Sequence, residues 1–91
     1  MENLELQKAS ENLQKSFLKL KTSSQMFAFM RDLLTEDEIV EFSLRLDIAS
    51  RLHQGQNYKK IEKETGASST TIARVAKFLK GKFGGYRKVL K

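Results

Sequence analysis

An all-α fold is what this sequence predicts, and three observations carry it. Apolar residues recur at spacings of three and four along most of the chain, capping residues stand between those stretches, and no segment reads as a strand. The 91 residues contain no proline, tryptophan or cysteine. Lack of cysteine excludes a disulfide framework and thiolate metal sites, and fits a reducing cytosol. No apolar run approaches the roughly 18 residues needed to cross a bilayer, and Met1, Glu2, Asn3, Leu4 and Glu5 lack the basic-then-apolar order of a signal peptide. A single helical domain over residues 1–91 is expected, soluble and cytoplasmic, with no membrane partner. It lies near the size at which a monomer buries too little apolar surface for comfort, so association is expected early.

Leu6, Ala9, Leu13, Phe17 and Leu20 are spaced 3, 4, 4 and 3, which draws one stripe along a helix over residues 2–21. Thr22, Ser23 and Ser24 interrupt the pattern and can cap a second helix over residues 25–34. Met26, Phe27, Phe29, Met30, Leu33 and Leu34 cover most of its circumference. A helix apolar nearly all round must be buried on nearly every side, and a second chain is the simplest cover. Thr35 and Glu38 have the form of a capping box, opening a third helix that runs to about residue 54 and stops at Gly55. Two stripes line it: Ile39, Phe42, Leu46, Ala49 and Leu52, then Val40, Leu44 and Ile48.

Residues 58–78 read as a helix-turn-helix. The first motif helix begins after Asn57, a cap, and ends at Gly66, where the left-handed conformation suits glycine. Ser68 then caps a second helix that can run to Lys80 before Gly81, and Ile61, Ile72 and Val75 lock the two together. This geometry turns the second helix outward, where its first residues can reach base edges in a major groove. Gly84 and Gly85 form a joint before a last short helix over residues 86–91, with Tyr86, Val89 and Leu90 as its apolar face.

Charge points the same way. Residues 1–46 hold six Lys/Arg against eight Asp/Glu, and residues 47–91 hold eleven against three, so the net charge of +6 resides wholly in the half with the motif. Such asymmetry suits a surface that neutralises phosphates and releases their counterions. Enzymatic chemistry finds no footing. His53 stands alone, Glu36, Asp37 and Glu38 read as helix-opening caps, and Gly81, Gly84 and Gly85 are too sparse for a phosphate loop.

The residues Leu34, Thr35, Asp37, Glu38, Arg45 and Gly55, and the run from Ile61 through Gly66 and Ala67 to Thr71, Ile72 and Arg74, resemble the Trp repressor family, especially its YerC/YecD-type branch. The similarity is best over residues 33–90. It implies a six-helix fold in which two chains interlace their N-terminal and last helices into an intertwined homodimer. Residues 1–56 are then mainly dimerisation core, 57–80 the helix-turn-helix, and 81–91 the C-terminal helix. The family holds tryptophan between helices three and five with one arginine from each, and Arg45 and Arg74 match those positions as possible ligand-binding residues. Tryptophan-responsive members place a glycine after the second arginine and a serine three residues further on. Here Val75 and Phe78 stand there and fill the slot, so no tryptophan corepressor and no other cofactor is expected. For Arg45 the alternative is an ion pair with Glu41 one turn earlier, worth a few tenths of a kcal/mol.

The expected function is that of a sequence-specific transcription regulator, a repressor occupying double-stranded DNA as a homodimer. Lys59, Lys60 and Lys63 are expected to hold phosphates, Ser69, Thr70 and Thr71 to face base edges, and Arg74 and Lys77 to contact bases or the adjoining backbone. Short hydroxyls read bases weakly unless water bridges them. Two alternatives stay open: a dimeric interaction module without specific DNA binding, and a repressor controlled by a corepressor other than tryptophan. The first draws on Glu62, a carboxylate where helix-turn-helix motifs usually place alanine.

Overall fold

The computed structural model describes residues 1–90, and among them it is all-helical: α1 (Asn3–Ala9), α2 (Glu11–Leu18), α3 (Ser23–Leu33), α4 (Glu36–His53), α5 (Tyr58–Thr65), α6 (Ser69–Leu79) and α7 (Gly85–Val89). The expected last helix began one residue later, and its end at Lys91 lies outside the described residues. None of these helices is long and apolar enough to cross a membrane. The chain divides into two compact units, Met1–Glu36 and Asp37–Lys91, so nearly all of α4 belongs with the helix-turn-helix.

In the first unit, the single helix expected over residues 2–21 is broken in two at Ser10, which adopts φ −98°, ψ 8°. Its hydroxyl donates to the Leu6 carbonyl at 2.8 Å, a back-bond that tends to bend helices. Ser16 and Ser43 make the same bond to Asn12 and Ile39 without a break, so the back-bond alone does not account for it. At the break the Gln14 amide donates to the Ser10 hydroxyl at 2.9 Å and to the Gln7 carbonyl at 3.2 Å. An unbroken helix would offer the Gln7 carbonyl to residue 11. After Leu18 the chain closes with tighter bonds from Lys19 to Ser16 and from Leu20 to Phe17. Thr22 caps α3 by accepting the Gln25 N–H at 3.1 Å, while the Gln25 side chain accepts the Lys21 N–H at 2.8 Å. The Phe17 and Phe29 rings meet edge to face at 5.4 Å. Yet α1, α2 and α3 contain no buried residue.

The second unit holds the core. Ile48 and Ala49 of α4, Ile61 of α5, and Ile72 and Val75 of α6 form one buried cluster, with Leu44, Leu52, Ala67, Tyr86 and Leu90 packed against it. The predicted lock of Ile61, Ile72 and Val75 across the turn is present. Only Ile48 and Ala49 of the two apolar stripes on α4 are fully buried; Val40 is 68% and Phe42 and Leu46 are each 45% exposed. Arg87 ties α7 back to the end of α6, donating to the Leu79 carbonyl at 2.5 Å and the Gly81 carbonyl at 2.8 Å. Such bonds satisfy carbonyls that a helix end leaves unpaired.

Candidate nucleic-acid interface

The turn between α5 and α6 is specified residue by residue. Asn57 caps α5 by accepting the Lys60 N–H at 2.9 Å. Gly66 ends that helix at φ +75°, a conformation that costs other residues roughly 1–2 kcal/mol, and a side chain there would meet nothing within 4 Å. Conformation, not space, calls for the glycine. The Thr65 hydroxyl donates to the Ile61 carbonyl at 2.6 Å and accepts the Ala67 N–H at 3.2 Å, so the turn's polar groups are met locally. Ser68 opens α6 by accepting the Thr71 N–H at 3.2 Å.

Burial sorts α6 into faces. Ile72, Val75, Ala76 and Leu79 point to the core, while Ser69, Thr70, Ala73, Arg74, Lys77 and Phe78 are exposed, as is Lys80 just past the helix end. At 100° per residue, Thr70, Arg74 and Lys77 lie opposite the buried stripe. Thr71 stands apart from them: it is half-buried, and its hydroxyl accepts a bond from the Ser68 hydroxyl at 3.1 Å. Of the three hydroxyls assigned to base edges, Thr70 and Ser69 are therefore open and Thr71 is engaged. On α5, Lys59, Lys60 and Lys63 are all exposed, and Lys60 Nζ lies 3.9 Å from Glu64. Glu62 is half-buried.

Arg45 and Arg74 come together as the matching positions imply. Both line a cavity of about 140 Å³, with Glu41, Thr71, Val75, Phe78 and Tyr86. That is below the roughly 300–1,000 Å³ typical of small-molecule sites. Arg45 is already engaged: its guanidinium donates to Glu41 at 3.0 Å and stacks over the Phe42 ring at 5.5 Å. The Glu41 ion pair weighed from the sequence is thus present. Val75 is only 3% exposed and belongs to the core, while Phe78 is 46% exposed at the cavity edge.

Sequence reasoning passed over Arg51. From the last turn of α4 its Nε donates to both carboxylate oxygens of Asp47, at 3.3 and 3.2 Å. Its Nη1 reaches Gln56 at 3.4 Å and makes a close ion pair with Glu64 of α5. The Glu64 hydrogen bond raises the Arg51 pKa against the opposing effect of burial, and Asp47 adds to it. Only the pairing with Asp47 one turn earlier was visible as a pattern; Glu64 is thirteen residues away.

Comparison with known proteins agrees with this architecture. The family model for the Trp repressor protein matches residues 8–91. The uncharacterised protein YerC of Bacillus subtilis strain 168 is 43% identical over 72 residues, which span 79% of this chain and 69% of that protein. The crystal structure of a TrpR-like protein from Eubacterium eligens ATCC 27750 superposes with a TM-score of 0.82 at 36% identity, covering 90% of this chain and 84% of that one. A Staphylococcus aureus structure described as a candidate Trp repressor gives a TM-score of 0.88 at 35% identity, covering 99% of this chain and 91% of that one. The chain belongs to the Trp repressor protein family, in its YerC-type branch, and has the fold of a helix-turn-helix DNA-binding regulator.

Proposed function

We propose that the protein is a homodimeric, sequence-specific transcription regulator that represses by occupying an operator. The observation that carries this reading is the outer face of α6, where Thr70, Arg74 and Lys77 stand exposed opposite Ile72, Val75, Ala76 and Leu79, with Ser69 open on one flank. A helix so presented can enter a major groove, with arginine and lysine suited to guanine edges or phosphate and threonine to either kind of base contact. Lys59, Lys60 and Lys63 on α5 supply phosphate contacts that set the register. The dimer is supported by the uncovered apolar side chains of the N-terminal unit, with Leu4 64%, Leu18 84% and Phe27 56% exposed.

Operator binding proceeds without tryptophan in this reading. Arg45 is held by Glu41 and Phe42, and the cavity beside Arg74 is walled by Val75 and Phe78. Calorimetry is expected to show no heat with tryptophan at physiological concentration; micromolar binding at one per subunit would overturn this. The DNA reading is tested by selecting bound sequences from random duplex, then comparing selected and scrambled duplexes by fluorescence anisotropy across a salt series. A phosphate-binding regulator loses affinity steeply with salt and prefers the selected duplex. Equal binding to both, or none, would leave a dimeric interaction module as the better account.

A further inference from the structure

Lys15–Glu11, Arg45–Glu41 and Lys60–Glu64 are ion pairs one turn apart on a single helix, whereas Arg51–Glu64 joins two helices. Arg51 is a hub. Its guanidinium holds Asp47 on α4, Gln56 in the connecting segment and Glu64 near the end of α5. Its carbonyl also accepts the Gln56 N–H at 3.0 Å, so Arg51 holds Gln56 through both its backbone and its side chain. The Arg51 side chain is 24% exposed, the most covered partner in these pairs. Meanwhile the second oxygen of Glu64 lies 3.9 Å from Lys60 Nζ. One carboxylate is therefore shared between a strut to α4 and a lysine assigned to phosphate.

The sharing has a consequence. With Arg51 in place, Glu64 keeps a charged partner when Lys60 turns to a phosphate, so the lysine is released without stranding the carboxylate. Without Arg51, Glu64 has Lys60 as its remaining cation and competes with DNA for it. We propose that Arg51 is a positioning residue for DNA binding, fixing α5 on α4 and holding Glu64 so that Lys60 stays available to phosphate. The proposal rests on the DNA-binding reading above. It separates into two effects: the strut sets how well the helix-turn-helix discriminates sequences, and the occupied carboxylate sets how many phosphates it neutralises.

The test uses Arg51→Met, Glu64→Gln and the double variant, each measured by anisotropy on selected and scrambled duplexes across a salt series, with circular dichroism to confirm helix content. Both single variants break the same bond and are expected to lose about tenfold in preference for the selected duplex. Their salt slopes should move in opposite directions. Arg51→Met turns Glu64 onto Lys60 and lowers the slope by up to about 1, while Glu64→Gln frees Lys60 and leaves the slope equal to or steeper than the parent's. In the double variant the slope should return to that of Glu64→Gln, although Arg51 is still missing, because no carboxylate remains to divert Lys60. Arg51→Lys keeps the charge but not the two-sided fork, and is expected to hold the slope while losing part of the preference.

Preference within twofold of the parent in both single variants, or slopes that fall together, overturns the proposal. So does loss of helix content in Arg51→Lys as well as Arg51→Met, which would make Arg51 a fold anchor only. A parent that binds both duplexes equally refutes the regulator reading, while the slopes still decide this one. A parent that binds neither overturns both.

Discussion

The two units of this chain use helices of similar apolar richness and cover them very differently. In Asp37–Lys91, side chains from α4, α5 and α6 converge on Ile48, Ile61 and Ile72, each at 0% exposure. In Met1–Glu36 no helix buries a residue, although α2 and α3 carry clear apolar faces and touch through Phe17 and Phe29. A stripe specifies a helix; it does not specify what covers the stripe. The helix-turn-helix supplies its own partner through a turn of three residues, because Gly66 and Ser68 redirect the chain at once. In the N-terminal unit the turn from α2 to α3 brings Phe17 against Phe29 but buries neither, and in our proposal the missing cover is a second copy.

That contrast can be broken first at its extreme. Phe17→Asp places a charge on the N-terminal face and is expected to abolish the cooperative thermal transition altogether, because the interlaced dimer we propose would not separate into intact chains. A monomeric variant that still melts cooperatively would show that the second unit stands alone and the first is an appendage. Next in size is Ile72→Ala within the core, which should cost about 2–5 kcal/mol through lost burial and a residual cavity, read from chemical denaturation at fixed protein concentration. An Ile72→Ala variant as stable as the parent would mean that the cluster around Ile48 and Ile61 does not hold the second unit together.

Smaller effects sharpen the turn itself. Gly66→Ala should cost about 1–2 kcal/mol, from the left-handed backbone alone, and Ser68→Ala about 1 kcal/mol, from the lost cap. Thermal denaturation of both variants checks these values; Gly66→Ala without cost would mean that the turn can relax to a different geometry. Smallest in stability, and informative only with DNA, are the surface changes. Lys59→Ala and Lys63→Ala should leave the melting curve unchanged and lower the salt slope by about 1 for every sequence. Thr70→Ala should change the preferred sequence at constant slope, and more than Thr71→Ala does, since Thr71 is half-buried and its hydroxyl already accepts from Ser68.

What was legible in the sequence is what the backbone decides within a few residues. Asn57, Ser68 and Thr22 cap helices as their chemistry requires, and Gly55 and Gly66 take positive φ where the helices end. The Arg45–Glu41 pair and the buried stripe of α6 follow from helical spacing in the same way. The break at Ser10 was not legible, because serine alone does not cause it. It comes with the Gln14 side chain reaching back to Gln7, while Ser16 and Ser43 pass unbroken. Nor were the Arg51–Glu64 strut and the Arg87 cap on α6, since those contacts appear only once separate helices are packed. The engaged state of Thr71 was half legible: its place beside Ile72 puts it on the flank of α6, but the hydrogen bond from Ser68 had to be seen.

In the proposed dimer two recognition helices related by a two-fold axis read one operator together, and the spacing of the half-sites is the sharpest check on this. Anisotropy titrations compare the selected duplex, with half-sites about 10 base pairs or roughly 34 Å apart, against the same duplex with about 5 base pairs inserted at its centre. Insertion of a half-turn is expected to destroy specific binding, leaving only the salt-sensitive affinity shown by scrambled DNA. Undiminished binding to the inserted duplex would contradict it, because the two heads would then be acting independently or not reading the sequence at all.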